Sequence, residues 1–284
     1  GPVAPDPIPP GCPDIPYNNT LQSNVDQLRG LVPAIAERFG SETLHFVTHS
    51  KGGLDTRGFL SSTVASPIQV QVGTMRGQPV KRDLEGRSLV TLNTPHGGSV
   101  LAKYGVEARQ LSWLQATRAG VNVAAAKGFE GPYYCDLTPA RASAFVASTT
   151  LPNGVQAASV ATDADCSGDQ QISGGASCGA GRSESSDFTG GAFAADRLYQ
   201  LIGRVADVTI TVTPRPFLPD RITVTETPNA AFQPNDVIVT QTSAGLYAQY
   251  GIDGWHHLNV HSRENAQTVA GDAQGGGLVD WRKR

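Results

Sequence analysis

A chain of 284 residues can bury a sizeable core as one large domain, with or without an insertion. Its formal net charge of −3 and 17 % charged residues leave no basic footprint for nucleic acid or an anionic membrane. No stretch reaches roughly eighteen uninterrupted apolar residues, so a membrane span is not expected. Four cysteines, Cys12, Cys135, Cys166 and Cys178, are spaced too irregularly for a zinc ribbon. An even count with two close partners suits a secreted protein with two disulfides better than free buried thiols. The expected bridge is Cys166 to Cys178, closing a Gly/Ser-rich loop, and Cys12 to Cys135 follows by elimination. No signal peptide opens the chain, which reads as a mature or trimmed form.

Residues 1 to 17 are Pro-rich and expected to be irregular, because proline is denied both ladder bonds and helix interiors. Apolar residues then recur at Leu21, Val25, Leu28, Leu31, Val32, Ile35 and Phe39, an amphipathic helical stripe that stops at Gly40. A strand over 43 to 48, a turn at Ser50 and a helix to about 62 follow. SLVTLNT (88 to 94) reads as a buried strand running into PHGGS, and VQAASVAT (155 to 162) as a third. Helices alternating with short apolar strands predict a mostly parallel sheet and the α/β class. Two stretches break that rhythm. Residues 104 to 150, with Trp113, Tyr133 and Tyr134, read either as an inserted helical cap or as ordinary core helix. Residues 163 to 191 read as an exposed loop stapled by cysteines. VTITVT (208 to 213) and RITVTE (221 to 226) alternate with period two around PRPFLPD, a β-hairpin decorating the core. No internal repeat is present, and residues 1 to 284 read as a single domain.

The stretch THSKGG, residues 48 to 53, places a serine where a strand must turn at once into a helix. This is the setting of a nucleophile elbow, G-x-S-x-G, whose small residues allow strand and helix backbones to approach. Gly52 supplies the second glycine, but Thr48 stands in place of the first, and a bare S-x-G is a weak signal. A serine hydroxyl needs a base to take its proton and a carboxylate to orient that base. Asp236, in PNDVIVTQTSA, and His257, in GWHHLNVHS, follow Ser50 in the chain order such sites require.

Four motifs together carry a resemblance. HFVTHSKGGLDTR resembles the V-x-H-S-x-G-G-L-x-x-R elbow of secreted bacterial lipases and related esterases of the α/β-hydrolase fold. LNTPHGGS resembles their T-P-H-x-G-S, NDVIVTQTSA their N-D-G-x-V, and HHLNV their N-H-L-x-x-V. The order matches and the motifs span most of the chain from about residue 20 to 265. The resemblance implies an α/β-hydrolase that cleaves carboxylic esters without a redox cofactor. Ser50 would be the nucleophile, Asp236 the triad acid and His257, rather than His256, the base. The backbone N–H of Lys51 would be one oxyanion donor. Calcium stays open as a cofactor, although Asn259 stands where an acidic ligand is expected in some relatives. The family also begins with a strand and an H-G loop giving the second donor. Only about twenty Pro-rich residues precede the first helix here, so either another loop gives that donor or, the favoured reading, those N-terminal strands are missing and supplied by a further segment of the protein.

Other readings of the same residues stand beside this one. Asp253 or Asp163 would substitute for Asp236 as the acid. His256, His257 and His261 could bind a metal, the last two being i, i+4. DADCSGD (163 to 169) resembles a calcium loop but lacks the final Glu, and reads as a solvated turn. His49 and His96 are expected to make structural hydrogen bonds. The rival function is an inactive hydrolase-like scaffold module of a larger extracellular protein; a peptidase or amidase is a third. Acyl chain length is not legible.

Overall fold

A computed structural model of the chain describes residues 19–126, 132–172, 177–179, 182–183 and 191–253. In chain order they form α1 (Leu21–Phe39), β1 (Thr43–His49), α2 (Lys51–Ala65), the hairpin β2 (Gln69–Met75) and β3 (Gln78–Asp83), and β4 (Glu85–Leu92). Then come α3 (Val100–Ala108), α4 (Trp113–Ala119), α5 (Val121–Ala126), a 3-10 turn (Pro132–Leu137), α6 (Pro139–Ser148) and β5 (Gln156–Asp163). The short pair β6 (Ser177–Gly179) and β7 (Arg182–Ser183), α7 (Gly191–Arg204), β8 (Val205–Arg215), β9 (Leu218–Pro228), α8 (Gln241–Ala244) and β10 (Ala248–Asp253) complete the set.

The central sheet runs β1-β4-β5-β10, and every pairing in it is parallel, as the alternating pattern predicts. α1 has the expected bounds to the residue. The Thr20 side chain accepts from the Ser23 N–H at its start, and Gly40 (φ 60°) closes it, its N–H donating to Ala36 and Glu37 carbonyls. Leu21, Val25, Val32 and Ala36 are buried, while Leu31, Ile35 and Phe39 of the same stripe stay exposed. α2 lies inside the molecule, with every residue from Gly53 to Leu60 buried.

The expected hairpin is longer than its pattern suggests, eleven residues in each strand. Val208, Ile210, Val212, Ile222 and Val224 form its apolar face and pack on α3 and α7 around Tyr104, Leu111 and Tyr199. The 104–150 stretch divides: α3 is enclosed almost throughout, whereas α4 shows Trp113 and Leu114 to solvent.

Two expectations change. The 163–191 stretch does not start as an exposed loop, because Ala164, Asp165 and Ile172 are buried. Asp165 is not solvated either. Its Oδ1 accepts from the Ser167 and Gly168 N–H groups and its Oδ2 from that of Gln170, so backbone donors fill the place a cation would take. Cys135 and Cys166 are both disulfide-bonded. Cys12 lies outside the described residues, and only the backbone of Cys178, in β6, is described. Among the described residues no helix is long and apolar enough to cross a membrane.

Candidate active site

The carboxyl ends of β1, β4 and β5 converge on one edge of the sheet, and each bears a special residue. At the end of β1, Ser50 takes φ 52°, ψ −135°, a conformation non-glycine residues avoid, before α2 starts at Lys51. Its N–H donates to the Leu92 carbonyl at 2.9 Å, and its carbonyl accepts from Gly53 at 3.0 Å. Those two bonds hold the bend from both sides. The sharpness of the turn fixes which glycine it needs. A Cβ on Gly53 would stand 2.1 Å from Thr94 Oγ1, whereas one on Gly52 would meet nothing within 4 Å. The glycine that close packing requires is thus Gly53, against the Thr94 side chain, not the Gly52 of the motif. Lys51 begins the helix, so its N–H has no intrahelical acceptor by geometry and lies at the positive end of the α2 dipole. Its ammonium is turned to Asp55 at 2.7 Å.

At the end of β4, Asn93 (φ 47°) is fully buried and exchanges two hydrogen bonds with Thr162, Nδ2 donating to Oγ1 and Oδ1 accepting the N–H. The chain then bends through Gly98, where a Cβ would strike the backbone of Thr138 and Pro139 at 2.4–2.8 Å. Gly97 N–H donates to Ser243, and Ser99 Oγ to the Ile238 carbonyl at 2.6 Å, tying this loop to the segment that holds Asp236. His96 is buried, packs edge-on against Tyr247 at 5.2 Å and shares a 3.2 Å hydrogen bond with Thr91 Oγ1. Burial, aided by the Arg57 charge, lowers its pKa to about 3, so it is a neutral structural histidine.

Asp236 is 1 % exposed. Its Oδ1 accepts the N–H groups of Ile238 (2.9 Å) and Val239 (2.6 Å), which fix the carboxylate in a tight turn. Val237 inside that turn has φ 76°, an outlier for a β-branched residue, and its side chain is buried in the core. Ala164 N–H donates to the Asn235 carbonyl at 2.8 Å, and Asn235 N–H to Asp163 Oδ1 at 3.3 Å. The ladder Ser50–Leu92, Asn93–Val160, Ala164–Asn235 therefore crosses the sheet from the elbow to the Asp236 turn. Asp163, the alternative acid, ends β5 beneath that turn. Burial pushes its carboxyl up to about 7, against lowering hydrogen bonds from Tyr199 and the backbone. A carboxyl clamped on the backbone of the Asp236 turn is a support for it.

The other expected residues fall elsewhere. His256, His257, His261 and Asn259 lie outside the described residues, and of Asp253 only the backbone, at the end of β10, is described. Among the described residues no group of three or more His, Cys, Asp or Glu could hold a metal ion. A cleft of about 510 Å³ opens between α1 and the start of α2, lined by Asn24, Leu28, Leu31, His49, Gly52 and Asp55. It flanks Ser50 on both sides in sequence. Sequence reasoning gave no role to Asn93, nor to Arg57, the arginine that closes the elbow motif. Arg57 is buried and bonded to Thr149, Val146 and the Tyr247 hydroxyl, pinning the end of α6. The signal for Asn93 was an asparagine closing an apolar strand, a residue that tolerates positive φ.

No protein-family model matches the chain, and no curated protein matches it in sequence. Among solved structures the fold is similar to the mature form of the Bacillus licheniformis lipase BlEst2. Identity is 19%, the TM-score is 0.52, and 89% of this chain and 74% of that chain are covered. The propeptide form of the same lipase is found at 19% identity and TM-score 0.49, covering 88% of this chain and 40% of that one. The Staphylococcus hyicus lipase is found at 14% identity and TM-score 0.42, with 82% and 69% covered. The likeness to BlEst2 makes the fold a lipase-like α/β fold.

Proposed function

We propose that the chain is a serine-dependent carboxylic ester hydrolase, a secreted lipase or esterase working through an acyl-enzyme. The observation that carries the reading is the strained Ser50 bend between β1 and α2, with a fixed, buried carboxylate on the same sheet edge. Ser50 Oγ attacks the ester carbonyl while His257 takes its proton. His257 then returns that proton to the leaving alcohol, and a water deprotonated by His257 cleaves the acyl-enzyme. Asp236 holds His257 in the useful tautomer and stabilises the imidazolium. The Lys51 N–H, at the amino end of α2, donates to the oxyanion. A second donor comes from an upstream strand laid along β1, an edge strand among the described residues. Disulfides Cys166–Cys178 and Cys12–Cys135 fit the secreted reading, and a region within 104–150 serves as the cap.

A fluorophosphonate probe tests the nucleophile. It should label Ser50, and Ser50→Ala should abolish labelling; labelling that survives in Ser50→Ala removes the assignment.

A further inference from the structure

We propose that the tip of the β8–β9 hairpin, with the first turn of α4, docks on a lipid surface bearing anionic headgroups. Four large apolar side chains stand out there: Phe217 at 106 % exposure, Leu218 at 56 %, Trp113 at 60 % and Leu114 at 61 %. The tip is a two-residue turn, Pro216-Phe217, closed by the Arg215–Leu218 pair. Proline first and positive φ second is type II geometry, which asks for Gly or Asn at the second position. Phe217 has φ 60°. A phenylalanine there is disfavoured twice, by backbone strain and by full exposure of its ring. Neither cost serves the fold, since glycine would meet the turn better.

The apolar tip is held on a stiff base. Glu107 Oε2 accepts the buried Ile210 N–H at 3.1 Å, Gln110 Nε2 donates to the Ile210 carbonyl at 2.9 Å, and the core cluster reaches Val212 and Ile222. Three residues of β8 (213 to 215) and four of β9 (218 to 221) then extend beyond the core, roughly 10 Å, a depth suited to the boundary between headgroups and acyl chains. α4 is tied alongside by Gln115 Nε2, which donates to Asp220 at 3.1 Å, across a cleft of about 500 Å³ that also involves Arg118, Leu218 and Ile222.

Charge selects the partner. Among the described residues, Arg118, Arg215 and Arg221 are all exposed around the tip, with one carboxylate there, Asp220, which Gln115 engages. This local balance is positive although the whole chain carries −3, so the composition that spoke against an anionic membrane conceals a basic, aromatic tip. Apolar side chains in the acyl boundary with guanidiniums at headgroup level is the pattern of an interfacial anchor. The inference deepens the proposed function, and rests on it, only in naming a lipid aggregate as the place where the ester is met.

Flotation of the full chain with vesicles of phosphatidylglycerol and phosphatidylcholine in equal parts, against phosphatidylcholine alone, tests the face. The chain should partition about tenfold more strongly onto the anionic vesicles. Phe217→Gly should cut that partition about tenfold while leaving thermal stability equal or higher. Arg215→Ser with Arg221→Ser should remove the preference for anionic vesicles. Equal flotation of Phe217→Gly and the parent chain overturns the proposal, as does a parent chain that floats with neither vesicle. If sedimentation shows a dimer that Phe217→Gly dissociates, the occupant is a second copy and the lipid assignment falls. Fluorophosphonate labelling of Ser50 separates the two readings. A chain that floats but is not labelled keeps the docking face and loses the hydrolase; one that is labelled but does not float does the reverse.

Discussion

Ser50 carries conformational strain in the backbone of the residue proposed as the nucleophile. At φ 52°, ψ −135° a Cβ is crowded, and such backbone costs on the order of 1–3 kcal/mol where the surroundings hold it in place. The hold is visible in the bonds to Leu92 and Gly53. Glycine has no Cβ to crowd, so Ser50→Gly should recover the strain, less roughly 0.5–1 kcal/mol for the greater backbone entropy of glycine. Ser50→Ala loses the hydroxyl but keeps the Cβ, and so isolates the strain. In urea unfolding, Ser50→Gly should be more stable than Ser50→Ala by about 1–2 kcal/mol, and both should be unreactive. Equal midpoints would mean the bend is relaxed, and the structural support for a nucleophile would weaken with it. Part of this was legible in the sequence: S-x-G-G after an apolar strand marks the turn. Which glycine the turn needs was not, because the constraint is Thr94, more than forty positions away. The motif singled out Asp236 as the proposed acid, but not the support of its turn by Asp163, which rests on a contact across 72 positions.

Elements whose evidence is local were read well. The α1 stripe and its Gly40 stop lie within one stretch, and the helix bounds follow; the Thr20 cap that opens it was not read. The β8–β9 alternation likewise marks its own face. The β2–β3 hairpin was passed over because its side chains are largely polar and exposed, leaving little hydrophobic pattern to read. Its turn did carry a signal: Arg76 and Gly77 both have positive φ, as a two-residue hairpin loop favours. What sequence cannot express is how the long hairpin is fastened. Glu107 is buried, takes the Lys103 ammonium on Oε1 at 2.9 Å and the Ile210 N–H on Oε2. Glu107→Ala would leave that buried N–H without an acceptor, at a cost of about 1–3 kcal/mol. Glu107→Gln keeps an acceptor and should cost less. Denaturant unfolding of the two variants decides it; if alanine and glutamine behave alike, the clip is incidental and the hairpin is held by its apolar face alone.

At the scale of the molecule the sheet is lopsided. Among the described residues β1, the strand that delivers Ser50, is an edge strand with Val47 59 % exposed, and Leu31 and Ile35 of α1 are exposed as well. Edges of this kind offer unpaired N–H and C=O groups to a further strand. The proposed function asks for one there, because the Lys51 N–H alone is half of an oxyanion hole. Removing a single such donor costs roughly 2.7–4 kcal/mol, about 10²–10³ in kcat. A longer form of the protein, with a strand and an H-G loop ahead of Gly1, should therefore hydrolyse a soluble ester about 10²-fold faster in kcat, with KM little changed. The asymmetry follows because an oxyanion donor is felt chiefly in the transition state. In the same longer form, amide exchange along β1 should slow as its free edge becomes paired. Protection of β1 without a gain in kcat would make the added strand structural only and return the second donor to another loop. A gain in kcat without protection would place the donor on a segment that does not pair with β1. If neither changes, the free edge has no part in the chemistry and the completed-sheet reading is wrong.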